Sequence, residues 1–435
     1  MKPHFFQSFL FAATLLSAHA QLSPNGATAS FKGSLPPKPT VALSAEQEAG
    51  IENELGSVTL AFVAVRKHPR AADAEIFLKA VRYALDFDEW YDKKPEDGVK
   101  KATVLLDEAK KRIASLAKNE TPWMNGSGLK VLGFYSKIDD SPQPYGVEVP
   151  EGLEWGQGKK PVPMWIWLHG RGDTATDLPF VYSRLMAKKP GQFQPAGTIV
   201  IHPFGRYCNG WKSAGETDVF ECRDDAMKRF NIDPNRVALA GFSMGGAGAW
   251  HLGAHYPDQW ACVHTGAGFA DVKRYQKLTP DKYPAWYEQK LWGVYDVPGY
   301  ARNFLNVPLI SYSGEQDAQR DSAEYMMEVL GKEGMKPPLQ ETVASPSTQE
   351  QKWAKTLTGA MMRAFSPGIW PVFSKSKNRW DAFTDEFLYA RPYLVRDRQL
   401  VRRLQRSLAV LFPLFREAMA AGTAPALSGL QLPAL

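Results

Sequence analysis

The chain has 435 residues, of which 44% are hydrophobic and 23% charged, with a formal net charge of +6. Acidic and basic residues are interspersed, so this modest positive balance makes no case for a nucleic-acid partner. No stretch reaches the ~20 consecutive apolar residues of a membrane helix, and the eight scattered histidines and three cysteines show no metal-ligand spacing. No cofactor is expected.

In chain order, residues 1–20 read as an export signal. Lys2 is the basic start, Phe5 to Leu16 the apolar run, and Ala18-His19-Ala20 a small-x-small cleavage site. The mature protein is therefore expected to be secreted or periplasmic. Residues 21–43, rich in Pro, Ser and Gly, are expected to form a linker. Ser44 and Gln47 can form a capping box, and Ile51, Leu55, Val58, Phe62 and Val65 follow at helical spacing. Two further helices carry Phe77, Val81 and Leu85, then Val104, Ala109, Ile113 and Leu116. These are expected to pack together as an N-terminal helical cap spanning 44–127.

From residue 128 the pattern changes to strands. Leu129 to Ile138 and Tyr145 to Val149 flank the turn Asp139-Asp140-Ser141. Apolar runs at Met164–Leu168, Thr198–Ile201, Val237–Ala240, Ala261–His264 and Pro308–Tyr312 then alternate with helical stretches. That alternation predicts a mostly parallel sheet in an α/β domain over 128–345, with ligands gathered at the carboxyl ends of the strands. Residues 270–304 interrupt it with Tyr275, Tyr283, Trp286, Tyr287, Trp292, Tyr295 and Tyr300. They are expected to pack a small core of their own, the sharper alternative being a lid over the substrate. In the basic C-terminal region 346–435, Leu400, Leu404, Leu408 and Leu411 oppose Arg402, Arg403 and Arg406 on a helix expected to lie on its own domain. Cys208 and Cys222 share one loop-rich stretch and could pair as a disulfide; three unpaired thiols is the competing reading.

The strongest chemical signal is Gly241-Phe242-Ser243-Met244-Gly245, directly after the strand Val237–Ala240 and before a helix carrying Ala247, Trp250 and Leu252. A G-x-S-x-G at a strand-to-helix junction forms a tight turn that presents the serine hydroxyl above the sheet, which is the nucleophile elbow of an α/β-hydrolase fold. His169-Gly170-Arg171-Gly172, ending an earlier strand, can offer the Gly170 and Arg171 amides, together with that of Met244, to a developing oxyanion. Asp317, past the strand Pro308–Tyr312, fits the chain order serine, acid, histidine, and would orient an imidazole. Glu315 is a weaker candidate. Asp317 can also be read as the N-cap of the following helix, Ser322 to Leu330.

With these elements the chain resembles secreted bacterial α/β hydrolases related to the prolyl oligopeptidase (peptidase family S9) catalytic domain. The matching stretches are KAVRYALDFDEWYD (79–92), QPYGVEVP (143–150), HGRGD (169–173), GRYCNGWKSAGETDVFE (205–221), GFSMGG (241–246), HYPDQW (255–260), GAGFAD (266–271) and YSGEQD (312–317). They cover about residues 75–335. The resemblance implies a mostly parallel sheet with helices on both faces and a serine hydrolase acting on peptide or ester substrates. It places the nucleophile, acid and oxyanion positions on Ser243, Asp317 and the two turns above.

One departure stands out. The resembling hydrolases carry a Gly-Pro-x-Thr segment followed closely by the triad histidine, whereas this chain has Ser345-Pro346-Ser347-Thr348-Gln349-Glu350-Gln351. The histidine position falls on Glu350 or Gln351, and the sequence contains no histidine after His264. His251 and His255 lie about 12 and 18 Å along the helix from Ser243, beyond proton-transfer reach. His169, His202 and His264 each fall near a strand end, and His169 and His264 are the possible substitute bases. Glu350 would need a raised pKa to serve directly. Three readings follow: a serine hydrolase of weak or lost turnover, a non-catalytic protein that keeps the cleft for peptide or carbohydrate ligands, or an altered gene product whose C-terminal third diverged and left a fold without function.

Overall fold

The computed structural model describes residues 36–191, 195, 197–313, 317 and 319–335. The export signal, residues 21–35 of the linker, Glu315, Glu350, Gln351 and the C-terminal region with its basic helix lie outside the described residues. The chain divides between Lys38 and Pro39, and everything below concerns the second unit.

Helix α1 (Ala45–Phe62) opens on the capping box. Ser44 Oγ accepts from the Gln47 amide at 3.2 Å, and Gln47 Oε1 accepts from the Ser44 amide at 2.9 Å. Its buried stripe is Ile51, Leu55, Val58 and Phe62. Helix α2 (Ala72–Asp86) is buried along most of its length, and α3 (Pro95–Leu116) begins on a proline, whose missing amide costs nothing in a first turn.

Seven strands form one sheet: β1 (Gly128–Tyr135), β2 (Pro142–Val149), β3 (Val162–Leu168), β4 (Ile199–Pro203), β5 (Ile232–Phe242), β6 (Cys262–Gly266) and β7 (Leu309–Tyr312). Their order is β1-β2-β4-β3-β5-β6-β7. The β1–β2 hairpin is antiparallel, with Gly128 opposite Val149 and Tyr135 opposite Pro142, and β2 is antiparallel to β4. From β4 to β7 the pairing is parallel. Helices α4 (Asp177–Met186), α5 (Ala214–Phe230), α6 (Met244–His255) and α9 (Arg320–Lys332) connect or follow these strands. The short α7 (Val272–Tyr275) and α8 (Trp286–Trp292) lie in the aromatic insertion.

Two cores lie on opposite sides of the sheet, because successive strand residues point to opposite faces. Met164, Ile166 and Leu168 of β3, Ile199 and Ile201 of β4, and Val237 and Leu239 of β5 face α5, α6 and α9. On the other side α1, α2, α3 and α4 share a core with Val131 of β1 and with Phe204. The N-terminal helices pack together, and they also cover the sheet. A Cβ on Gly133 would stand 2.4 Å from the Ala72 carbonyl oxygen, so only glycine lets α2 settle on β1.

Of the two cysteine readings the unpaired one holds, and one expectation is corrected. Cys208, Cys222 and Cys262 are all free thiols. Cys222 is fully buried in the core on the α5 side of the sheet, while Cys208 bonds to the backbone of Gly172. The aromatic insertion has no core of its own either. Trp286, Tyr287 and Tyr275 are exposed, and lysines lie over the rings, Lys273 over Tyr283 at 4.7 Å and Lys290 over Trp286 at 5.6 Å. The segment is anchored instead through Val297, Ala301 and Phe304, which enter the main core.

Candidate active site

Strand β5 ends at Phe242, α6 begins at Met244, and Ser243 between them has φ 56° and ψ −119°. A left-handed φ on a residue with a side chain costs roughly 1–3 kcal/mol and persists only where its surroundings enforce it. Here they do. A Cβ on Gly245 would stand 1.9 Å from the Leu168 carbonyl oxygen, and one on Gly246 2.1 Å from that of Gly266. The elbow is therefore wedged between the ends of β3 and β6. The Ser243 amide donates to Gly266 O at 2.8 Å, and Ser243 O accepts from the Ala247 amide at 3.0 Å.

The turn after β3 lies against the serine. The Cβ position of Gly170 is 3.5 Å from Ser243 Cβ and 4.0 Å from Ser243 Oγ. Gly170 and Met244, the first residue of α6, thus both lie beside Ser243. The unpaired amides of a helix start and its positive dipole end favour negative charge at this place. The Arg171 side chain is exposed and paired with Asp173.

His169 is partly buried. Its Nδ1 is 2.8 Å from Gly170 O and its Nε2 3.0 Å from Phe204 O, so both ring nitrogens face backbone carbonyls. Burial holds its pKa below the ordinary value, against the pull of those two acceptors. His264, paired with Ala240 in the sheet, is fully buried, and desolvation brings its pKa down to about 4. His202 sits on β4 with Nε2 2.9 Å from Glu148 Oε1. His251 is buried on α6, edge-on to Tyr295 at 5.4 Å, its pKa lowered to about 3 chiefly by desolvation and then by His255 and Lys212. Asp317 is half-buried, and burial raises its pKa. Its Oδ1 accepts from the Gln319 amide at 2.8 Å, which closes the turn into α9.

Sequence reasoning assigned no role to the loop from Phe204 to Ser213, although it belongs to a quoted stretch. Arg206, Tyr207, Trp211 and Ser213 all have positive φ, as do Gly205 and Gly210. Besides the His169–Phe204 contact, the loop holds the turn after β3 at three points. Trp211 Nε1 donates to His169 O at 3.2 Å, the Tyr207 hydroxyl donates to Asp173 O, and Cys208 Sγ accepts from Gly172 N at 3.4 Å. Asn209 braces the loop from within, accepting from the Trp211 amide at 2.9 Å and donating to Gly205 O at 2.8 Å. The two Gly and the Asn in this stretch were the available signal.

Among the described residues no group of three or more His, Cys, Asp or Glu is placed to hold a metal ion, and no helix is long and apolar enough to cross a membrane.

Residues 206–332 match the model of the prolyl oligopeptidase family. No curated protein matches the chain by sequence. Among solved structures, a ferulic acid esterase aligns at 20% identity and a TM-score of 0.41, covering 57% of this chain and 99% of its own. An S-formylglutathione hydrolase from Staphylococcus aureus aligns at 17% identity and 0.38, covering 55% and 99%. An acylaminoacyl peptidase from Pyrococcus horikoshii aligns at 15% identity and 0.39, covering 55% and 42%. The sheet and its elbow have the α/β-hydrolase fold, and the segment similar to the prolyl oligopeptidase family contains both Ser243 and Asp317.

Proposed function

We propose that the chain performs acyl transfer on a peptide or ester bond, with Ser243 Oγ as the attacking atom. The observation that carries this reading is the left-handed φ of Ser243, held by glycines at contacts no other residue tolerates. A strained serine at the carboxyl edge of a parallel sheet, beside a helix start, is where this chemistry is performed. The amides of Gly170, Arg171 and Met244 would receive the oxyanion, and Asp317 would orient a base.

The base is the weak link. The sequence has no histidine after His264, His169 already faces two carbonyls, and His264 is held neutral by burial. With one triad member missing, oxyanion stabilisation and binding alone leave roughly 10³–10⁴-fold acceleration. Slow turnover is therefore the expectation. The same observations favour a second reading, a binding protein that keeps the cleft for peptide or carbohydrate ligands without turnover.

A fluorophosphonate probe separates the two. Stoichiometric labelling of the wild type, abolished in Ser243→Ala, supports an activated hydroxyl. No labelling at all would count against acyl transfer.

A further inference from the structure

Near Ser243, two consecutive peptide groups have their carbonyls met by ring nitrogens. The carbonyl of the His169–Gly170 peptide accepts from Trp211 Nε1 at 3.2 Å. The carbonyl of the Gly170–Arg171 peptide faces His169 Nδ1 at 2.8 Å. That imidazole in turn packs edge-on against the Trp211 ring, with centroids 4.8 Å apart. We propose that Trp211 is a positioning residue for the oxyanion-binding turn, aligning one peptide through its indole N–H and the next through its ring, which holds His169 in place. This inference rests on the acyl-transfer reading of Ser243.

The physical argument starts from the planar trans peptide, in which N–H and C=O point in opposite directions. Fixing a carbonyl therefore fixes the direction of the amide behind it. Trp211 draws His169 O toward α6, so the Gly170 N–H points away from Trp211. A peptide that accepts at its oxygen is also polarised, which makes its N–H a better donor. Donors aimed in advance at developing charge need no reorganisation during the reaction.

A tryptophan that merely filled space would not need this seat. The ring lies in a slot where a Cβ on Gly205 would come within 2.5 Å of it and a Cβ on Gly248 within 2.7 Å. Trp211 itself holds a φ of 62°, in a loop where Arg206, Tyr207 and Ser213 are also left-handed. Asn209 locks that conformation by bonding on both sides of it. Gly205 is tied down separately, its amide donating to the buried Asp218 at 2.7 Å. So much enforced strain, spent on delivering one N–H to one carbonyl, marks a positioning device.

The test uses the full chain and two readouts, the rate constant for fluorophosphonate labelling of Ser243 and the kcat and KM for 4-nitrophenyl acetate. Trp211→Phe keeps an aromatic ring and removes the donor. It is expected to lower labelling and kcat about tenfold or more, with KM within about twofold. Asn209→Ala leaves the indole intact but frees its loop, and should show the same split to a smaller degree. It keeps the question open to test if Trp211→Phe does not fold. Phe230→Leu truncates a buried ring at the far end of α5 and calibrates general loosening; it should melt earlier yet label at the wild-type rate. If Trp211→Phe labels like the wild type, or Phe230→Leu loses labelling to the same extent, the assignment is overturned. If the wild type fails to label, the acyl-transfer reading falls first and takes this one with it.

Discussion

Arg229 on α5 and Asp73 on α2 form an ion pair, Nη1 to Oδ2 at 2.8 Å, with both side chains buried. Asp73 also accepts from the Gly133 amide at 2.8 Å and from Trp123 Nε1 at 3.0 Å, while Arg229 Nη2 donates to Gly133 O at 2.6 Å. The pair clamps β1 at the glycine on which α2 rests. Removing Asp73 leaves Arg229 with Asp225 alone, Nε to Oδ2 at 2.6 Å, and strips the Gly133 amide and Trp123 Nε1 of their acceptor, a cost of up to the ~3–5 kcal/mol of a broken buried pair. Asp73→Ala should therefore lower the urea midpoint steeply. A loss under about 1 kcal/mol would show that the helical layer does not depend on this clamp.

The strain at Ser243 makes a prediction of opposite sign. Ser243→Gly removes the Cβ that makes φ 56° unfavourable and should stabilise the fold by about 1 kcal/mol relative to Ser243→Ala, which keeps the Cβ. Thermal melts of the two inactive variants decide it. Equal midpoints would mean that the elbow is not strained in solution.

Stability should also depend on pH through two opposing sets of groups. His251 and His264 have pKa values lowered by burial to about 3 and about 4, from an ordinary value of 6.5. Between those limits the unfolded chain binds protons that the folded chain refuses. Their contribution is therefore complete above about 6.5 and is lost as pH falls toward 4. Asp218 works in the other direction. Burial raises it to about 7, so its contribution is complete below its ordinary 3.8 and is lost as pH rises through about 7. Asp218→Asn should thus gain on the wild type from about pH 4 to about pH 7 and level off above that in denaturant titrations. A constant difference across that range would contradict the raised carboxyl.

If the missing imidazole limits turnover, restoring one should be visible. Glu350→His and Gln351→His, tested separately, should include one variant whose kcat for a generic ester rises at least about tenfold, out of the ~10³–10⁴-fold range left to an incomplete triad. A parent that is already fast, together with no gain in either variant, would show that another group takes the proton.

Much of the scaffold was legible in the sequence, for reasons that can be named. Gly245 and Gly246 were readable because backbone atoms pass where their side chains would stand, so the spacing around Ser243 tolerates little else. The Ser44–Gln47 box was readable because it is settled within four residues. The order that places β4 between β2 and β3 was not, since it depends on contacts far apart in the chain. The left-handed turns at Arg206, Tyr207 and Trp211 were hidden because these residue types do not announce a positive φ. The aromatic insertion was misread because hydrophobic rings suggested burial, whereas here lysine stems and ammonium groups cover them at the surface. His169 looked like a spare base near a strand end, and only coordinates reveal that carbonyl oxygens meet both its nitrogens.

The glycine at position 133 has a practical consequence. Because the second helix lies directly on the outer hairpin, a shortened gene product starting at residue 128 would leave Val131 and Phe204 facing solvent and take from Arg229 one of its two carboxylates, Asp225 alone remaining. Any worker wishing to trim the protein from its N-terminal side for crystallisation or display should therefore keep residues 39–127.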